Sequence, residues 1–181
     1  PGSTDKSVNL ANVPWMFSCL PGDHLLAPPL VDQLVTTVGD QSFVVISAND
    51  HDSRHFAKEL DRCFASHHIV PQFKFVFRSE DIKGSDLLDR VLAAQPKAVV
   101  ICAGATASAR AVRQLRDRGF QQPLFGGPTM GRRAFHQQAG AAAENVTYPV
   151  LHGTTHSDFG QRFRERYGYE ADYAATSAYD A

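Results

Sequence analysis

The feature that most constrains the fold is a strand–helix rhythm, repeated at least four times between residues 43 and 138. Short apolar runs, such as residues 43–47 and 98–102, alternate with stretches of helical spacing. Continuous apolar runs bounded by turn residues are typical of strands buried on both faces, as in parallel sheets. The rhythm therefore predicts an α/β fold: a three-layer α/β/α sandwich around a mainly parallel, doubly wound sheet.

The apolar pattern also predicts where the individual elements lie. Five strands are expected, over residues 43–47, 73–77, 98–102, 122–126 and 146–150. Six helices are expected, over residues 54–66, 87–92, 106–118, 132–138, 159–167 and 171–180. One more helix carries an apolar stripe from Leu30 to Val38, and we expect it to open at Pro28 and Pro29, because proline is tolerated in a first helical turn.

Size and composition argue against several classes of protein. The 181 residues suit one well-packed domain. The 18 basic and 19 acidic side chains form no basic stripe interleaved with aromatic residues, so no nucleic-acid partner is expected. No apolar run reaches the length of a membrane span, and the chain shows no signal peptide. Its three cysteines are too few and too scattered for a zinc site or a disulfide framework.

Small and polar residues follow the predicted strands at their carboxyl ends, where ligands bind in open α/β sheets. Glycine in such a turn lets a ligand approach the backbone, and free N–H groups at a helix start can hold an anion. The alternative is that these residues are only helix caps and turn formers. The candidate ligand-binding residues are Asp50, His51, Asp52, Gly104, Ala105, Thr106, Thr129 and Met130.

A histidine pair after the first strand raises the question of a metal. His51 and His55 are spaced for one helical turn, with Asp50 and Asp52 beside them, and this spacing suits a metal ion. It equally suits a helix start, where a carboxylate caps free N–H groups and complements the helix dipole. We favour the helix start, because eight histidines spread through the chain produce such a pair by chance. No metal and no cofactor is expected.

A hydrolase mechanism is the other chemistry that the same segment suggests. Ser53 lies near His51 and Asp50, but the three are sequence neighbours and not a triad assembled in space. The chain has no Gly-x-Ser-x-Gly elbow, and no phosphate-binding glycine loop follows a strand. We therefore expect no catalytic residues and no enzyme activity.

Seven stretches, taken in order, resemble the type I periplasmic substrate-binding proteins, the branch that includes the branched-chain amino acid receptors of ABC transporters. The last of them reads Ala-Tyr-Asp-Ala, like the family's "aYDA". The stretches are residues 14–17 with 21–23, residues 43–47 with Asn49 and Asp50, residues 95–100 with Gly104, and residues 113–120, 139–146, 163–168 and 177–181.

The resemblance implies a domain organisation and a function. Residues 1–12 are expected to be a flexible arm or linker, and residues 13–181 a single α/β lobe of a two-lobe protein whose first lobe is missing. The implied function is non-covalent binding of a small molecule, an amino acid or small carboxylate, in the cleft between the lobes. The implied partner is an ABC transporter permease, and the implied location is periplasmic or extracellular.

Two alternatives and one departure from the family pattern stay open. The same lobe also resembles the extracellular ligand-sensing part of a signalling receptor, in which a receptor signalling domain replaces the permease as partner. A cytoplasmic flavodoxin-like or regulatory α/β domain is the second alternative. Family members that bind α-amino acids carry an acidic residue after the fourth strand, but residues 126–131 hold no carboxylate. This departure puts a plain amino acid ligand in question.

Overall fold

The computed structural model describes residues 20–39, 42–78, 86–150 and 157–180. In these parts of the chain, five parallel strands form one sheet in the order β2-β1-β3-β4-β5. This confirms the predicted fold class. The strands are β1 (Phe43–Ala48), β2 (Phe73–Phe77), β3 (Ala98–Cys102), β4 (Leu124–Gly126) and β5 (Val146–Thr147).

Helices follow the strands in alternation, as the rhythm predicts. Two short 3-10 helices, Pro128–Gly131 and Gly140–Ala143, flank the fifth α-helix. The α-helices are α1 (Asp23–Val38), α2 (His51–Ser66), α3 (Leu87–Ala93), α4 (Ala105–Asp117), α5 (Arg133–Ala139), α6 (Ser157–Tyr167) and α7 (Tyr173–Asp180). None of the described helices is long and apolar enough to cross a membrane.

The sheet is covered on both faces, and the side chains of its central strands alternate between two cores. In β1, Phe43 and Val45 pack in one core with α1 and α2, whereas Val44 and Ile46 pack in the other with α3, α4 and α5. Successive strand residues point to opposite faces of a sheet, so a strand between two helical layers needs an apolar residue at every position. This is why β3 is apolar throughout and β1 is apolar from Phe43 to Ile46, with Ser47 as its one polar residue.

Helix α1 corrects one expectation. It begins at Asp23, so Pro28 and Pro29 lie inside the helix and not in its first turn. Proline has no N–H, so the carbonyls of His24 and Leu25 lack their usual donors within the helix. Both of those residues are exposed. The buried face of α1, which includes Leu30 and Leu34, still packs on the sheet and holds the helix in place.

The outer strands are shorter or more exposed than expected. Strand β4 begins two residues later than predicted, after Pro123, and β5 ends three residues earlier, before Pro149. Proline cannot donate to a strand ladder, so it marks the ends of both. Strand β2 lies at the sheet edge, where Phe73 and Val76 are exposed. The predicted arm, residues 1–12, lies outside the described residues.

The strand order creates a crevice beside the central strand. The chain leaves β1 toward β2 on one side, and then crosses to β3 on the other side. The helix after β1 covers one face, and the helix after β3 covers the opposite face. The two connections therefore diverge at the carboxyl ends of β1 and β3, which is the position where doubly wound sheets bind ligands.

Candidate functional site

A cleft opens at this divergence point, at the carboxyl ends of β1, β3 and β4. Its walls come from the residues after these strands, from the first turns of α1, α2 and α7, and from the 3-10 helix that follows β4. It encloses about 110 Å³, which is less than the volume of sites that surround a whole organic ligand. The cleft therefore lies where a ligand site is expected, but its volume corresponds to only part of such a site.

The start of α2 forms one wall. Asp50 is the N-cap residue: its Oδ1 accepts from the backbone N–H of Ser53 (3.0 Å), and its Oδ2 accepts from the Ser53 hydroxyl (2.8 Å). Asp52 follows in the first turn and is exposed. The capping interpretation of Asp50 is thus confirmed. Because the Ser53 hydroxyl donates its proton to a carboxylate and not to a histidine, it is not arranged as a nucleophile.

The start of α1 contributes a buried carboxylate to the cleft wall. Asp23 is only 1% exposed, and its Oδ2 accepts from Nδ1 of His55 (2.9 Å) on α2. Its other oxygen, Oδ1, is also buried and has no hydrogen-bond partner among the described residues. His55 thus pairs with Asp23 through Nδ1, and the centres of the His51 and His55 rings lie 6.3 Å apart. The described residues contain no group of three or more potential ligands that could hold a metal ion.

The turn after β3 forms the opposite wall. Gly104 is the N-cap of α4, and a side chain added there would meet no atom within 4 Å. The first N–H groups of α4 have no acceptor inside the helix, and a glycine cap offers them no side-chain oxygen. The hydroxyl of Thr129 donates to the carbonyl of Ala103 (2.6 Å) and keeps lone pairs free to accept.

The floor of the cleft is apolar. Phe56 lies on it beside Gly127, where an added Cβ would come within 3.3 Å of the phenyl ring. Cys102 also lines the floor, and burial raises the pKa of its thiol far above the usual range. The thiolate is the reactive form of cysteine, so Cys102 is a small apolar residue here and not a nucleophile.

Tyr173, the first residue of α7, lies at the rim. Asp172 caps α7 by accepting from the backbone of Ala174 and Ala175 (3.1 Å each), and Nε of Arg132 donates to the same carboxylate (3.1 Å). These contacts fix Tyr173 beside the 3-10 helix. Burial raises the pKa of its hydroxyl, which therefore stays protonated at neutral pH.

The structure brings four of the eight candidate residues into the cleft wall: Asp50, Asp52, Gly104 and Thr129. His51, Ala105 and Thr106 lie in the first turns of α2 and α4, next to the wall but not in it. The Thr106 hydroxyl accepts from the side-chain amide of Gln138 (3.2 Å). Which residues contact a ligand stays a prediction.

Met130 lies elsewhere. Its side chain is fully buried in the core, against the backbone of Gly126, where an added Cβ would come within 2.2 Å of the sulfur. The 3-10 helix turns Thr129 toward the cleft and the next residue inward, so the Met130 side chain packs under the site and does not line it. The absence of a side chain at Gly126 thus serves internal packing.

Eight of the twelve lining residues were not among the candidates, and they include Asp23, Phe56 and Tyr173. Phe56 is indistinguishable in sequence from the other apolar residues on its helical stripe. Asp23 is an acidic residue at a helix start, and its burial, which creates the need for a partner, is visible only in the structure. Tyr173 is brought in by a distant segment, and no local pattern indicates this.

The lining of the cleft has an uneven charge. Three carboxylates line it (Asp23, Asp50 and Asp52), whereas no lysine, arginine or histidine does. Arg132 lies beyond the wall, where its guanidinium is 5.5 Å from the centre of the Tyr173 ring and is paired with Asp172.

The fold is shared with solved solute-binding proteins. A leucine binding protein from Thermotoga maritima is 20% identical in sequence and superposes with a TM-score of 0.77. The alignment covers 90% of this chain and 48% of that protein's chain. A branched-chain amino acid transporter substrate binding protein from Streptococcus pneumoniae, in complex with isoleucine, is 21% identical and has a TM-score of 0.76. The alignment covers 89% of this chain and 48% of that protein's chain. A solute binding protein of an ABC transporter from Rhodopseudomonas palustris, in complex with benzoate, is 15% identical and has a TM-score of 0.77. The alignment covers 91% of this chain and 46% of that protein's chain.

The chain therefore spans about half the length of these structures. No curated protein matches it in sequence. The strand order by itself does not separate this fold from a flavodoxin-like domain, because both have the order 2-1-3-4-5. The family profile does separate them: the profile described as periplasmic binding protein matches residues 2–181. The chain belongs to the periplasmic binding protein family and has its type I fold.

Proposed function

We propose that this chain is the second lobe of an extracellular solute-binding protein, which holds a small molecule between two lobes and presents it to an ABC transporter permease. The observation that carries the proposal is the cleft at the carboxyl ends of β1 and β3, in a chain that spans about half the length of the related solved structures. On this proposal, residues 13–181 form the lobe and the other wall of the cleft belongs to the first lobe.

The chemistry of the wall supports binding of a small polar molecule. The uncapped start of α4 offers backbone N–H groups to a carboxylate, and an anion is favoured there by the helix dipole. The Thr129 hydroxyl accepts a further hydrogen bond, and Phe56 covers apolar parts of the ligand. A few polar groups on a mainly apolar wall are the usual composition of a ligand site. An amino acid or a small carboxylate fits this set.

The proposal includes no chemical step. Ser53 and Cys102 lie at the cleft, but the Ser53 hydroxyl donates to Asp50 and burial keeps the Cys102 thiol protonated. Signalling of occupancy instead requires movement: closure of two lobes around a hinge buries the ligand and changes the surface that a permease contacts. The periplasm, or the outside of the cell, is the compartment proposed for this function.

The test is a thermal-shift screen of the full-length protein that contains this chain. The panel holds amino acids, small carboxylates, aromatic acids and short peptides. A solute at a hundred times its dissociation constant adds about 2.7 kcal/mol to stability, which is a clear rise in melting temperature. One or more such solutes are expected. The proposal is contradicted if every compound leaves the melting temperature unchanged.

A further inference from the structure

Strand β2 lies at an open edge of the sheet. Among the described strands it pairs with β1 alone, so the other side of its backbone has no strand partner in that part of the chain. An open row of N–H and C=O groups is a template for pairing with a further strand. Proteins that avoid such pairing usually place a proline or a free charge on the edge.

The residues of β2 do not provide this protection. The strand reads Phe-Lys-Phe-Val-Phe, which is rich in residues that favour strands and contains no proline. Its one charged residue, Lys74, is paired with Asp61 on α2, with Nζ 2.7 Å from Oδ1. Phe73 is 47% exposed and Val76 is 65% exposed, so apolar surface is left open at this edge.

The two faces of the edge carry different residues. Phe75 and Phe77 pack in the core that α3, α4 and α5 share with the sheet, and the guanidinium of Arg90 on α3 lies 4.8 Å from the centre of the Phe75 ring. Strand residues alternate between faces, so Lys74 and Val76 lie on the α2 face. A strand added at this edge therefore continues both faces.

The sequence of β2 is self-complementary in an antiparallel pair. When Phe75 lies opposite Phe75 of a second copy, Phe73 lies opposite Phe77, and Lys74 lies opposite Val76. Aromatic pairs that face each other across strands are stabilising, whereas like charges directly opposite each other are destabilising. This register has the first and avoids the second.

Charge also excludes the neighbouring registers. A shift of two residues in one direction sets Lys74 opposite Lys74 of the second copy, and a shift in the other direction sets it opposite Arg78. Both shifts oppose like charges. The register centred on Phe75 is therefore the one that this edge favours, and it has the twofold symmetry of most protein dimers.

We propose that two copies of the protein associate through β2, antiparallel and with Phe75 at the twofold axis, so that one sheet continues through both copies. No residue of β2 lines the cleft, so the contact leaves the cleft of each copy open. The inference does not depend on the proposed function, because it uses only the edge of the sheet.

The test measures self-association of the full-length protein that contains this chain. Sedimentation velocity over a concentration series is expected to show a dimer that dissociates on dilution. Hydrogen exchange at high and low concentration then locates the contact. The peptide that covers residues 72–78 is expected to exchange more slowly in the dimer, because its open backbone groups become hydrogen bonded.

Three variants test the register. Val76→Lys sets a lysine opposite Lys74 of the second copy and is expected to weaken the dimer at least tenfold, whereas Val76→Glu sets a carboxylate there and is expected to keep or tighten it. Val76 is mostly exposed, so both variants are expected to fold, which their melting temperatures check. Val150→Lys is the matched control: Val150 is 70% exposed and follows β5 at the opposite edge, so the dimer is expected to be unchanged.

The proposed dimer is contradicted by a protein that stays monomeric at every concentration. It is equally contradicted by a dimer that Val76→Lys leaves intact, or by one in which residues 72–78 exchange as fast as in the monomer. Equal weakening by Val76→Lys and Val76→Glu would overturn the register centred on Phe75. None of these results bears on solute binding, which the thermal-shift screen tests separately.

Discussion

At the scale of the residue, Asp50 and Gly104 show how one turn can serve both the fold and the site. Both are N-cap residues, of α2 and α4, and both line the cleft. Asp50 accepts from the backbone N–H of Ser53, in the first turn of its helix, with its own carboxylate. Gly104 has no side chain, so the start of α4 stays open toward the cleft. The two helix starts therefore differ in what they offer a ligand.

Closing the start of α4 is expected to weaken ligand binding without harming the fold. In Gly104→Asn the new Cβ meets no atom within 4 Å, and asparagine is a better N-cap than glycine, so stability is expected to stay equal or rise by a few tenths of a kcal/mol. The side-chain oxygen of the asparagine is expected to accept from the free N–H groups at the start of α4, and the carboxamide is expected to fill the part of the cleft beside them. We expect the affinity of the full-length protein for its best solute, measured by calorimetry, to fall at least tenfold.

The matched control is the same substitution at the other end of the same helix. Gly119 follows α4, has a φ of +84°, and an added Cβ would meet nothing within 4 Å. Asparagine tolerates such a backbone better than most residues. Gly119→Asn is expected to keep the natural affinity. Unchanged affinity in Gly104→Asn as well would mean that the ligand does not use the start of α4.

At the scale of the element, two substitutions at the start of α2 distinguish the capping role of Asp50 from the effect of its charge. Asp50→Ala removes the acceptor for the Ser53 N–H and is expected to cost about 1 kcal/mol of stability. Asp50→Asn keeps an acceptor of the same shape and is expected to cost much less. Urea denaturation of both variants measures the difference. Equal losses would show that the charge of Asp50, and not its cap, stabilises α2.

Helix α1 offers a test of the core on that side of the sheet. Leu34 is 1% exposed and packs in the core that α1 and α2 share with the sheet, whereas Leu25 on the same helix is 59% exposed. Leu34→Ala is expected to cost about 2–5 kcal/mol, through lost burial and the cavity that remains. Leu25→Ala is expected to cost less than about 0.5 kcal/mol. Similar urea midpoints for the two variants would contradict this packing.

Elements of the sheet centre could be predicted from sequence, and those at its margins less well. Strands β1 and β3 lie between two helical layers, which favours apolar residues on both faces, and their apolar runs are easily recognised in the sequence. The ends of β4 and β5 depend on prolines and on neighbouring strands, which local patterns do not show. Helix α1 continues through Pro28 and Pro29 because burial of Leu30, Leu34 and their neighbours outweighs two missing hydrogen bonds.

The site was predictable only where it follows directly from the strand ends. Asp50, Asp52, Gly104 and Thr129 come soon after strands, so topology alone places them at one edge of the sheet. Asp23 and Tyr173 reach the cleft from helices far away in sequence, and a single sequence gives no sign of that approach. Met130 illustrates the reverse error: its position after β4 is right, but the 3-10 turn directs its side chain into the core.

At the scale of the whole molecule, the proposed binding site depends on a second wall. The open cleft of about 110 Å³ offers hydrogen-bonding groups and charge on one side of a ligand but does not enclose it. The related structures are about twice as long as this chain, and that extra length is the proposed source of the enclosure. A sensor domain would use the same two lobes, so the identity of the partner is a separate question from the position of the ligand.

The most direct test of the central claim is a crystal structure of the full-length protein with its most stabilising solute bound. We expect the solute to lie between two lobes, within hydrogen-bonding distance of the N–H groups that follow Gly104 and of the Thr129 hydroxyl. A solute bound at another surface of this lobe, or carboxyl strand ends that face no second lobe, would contradict it.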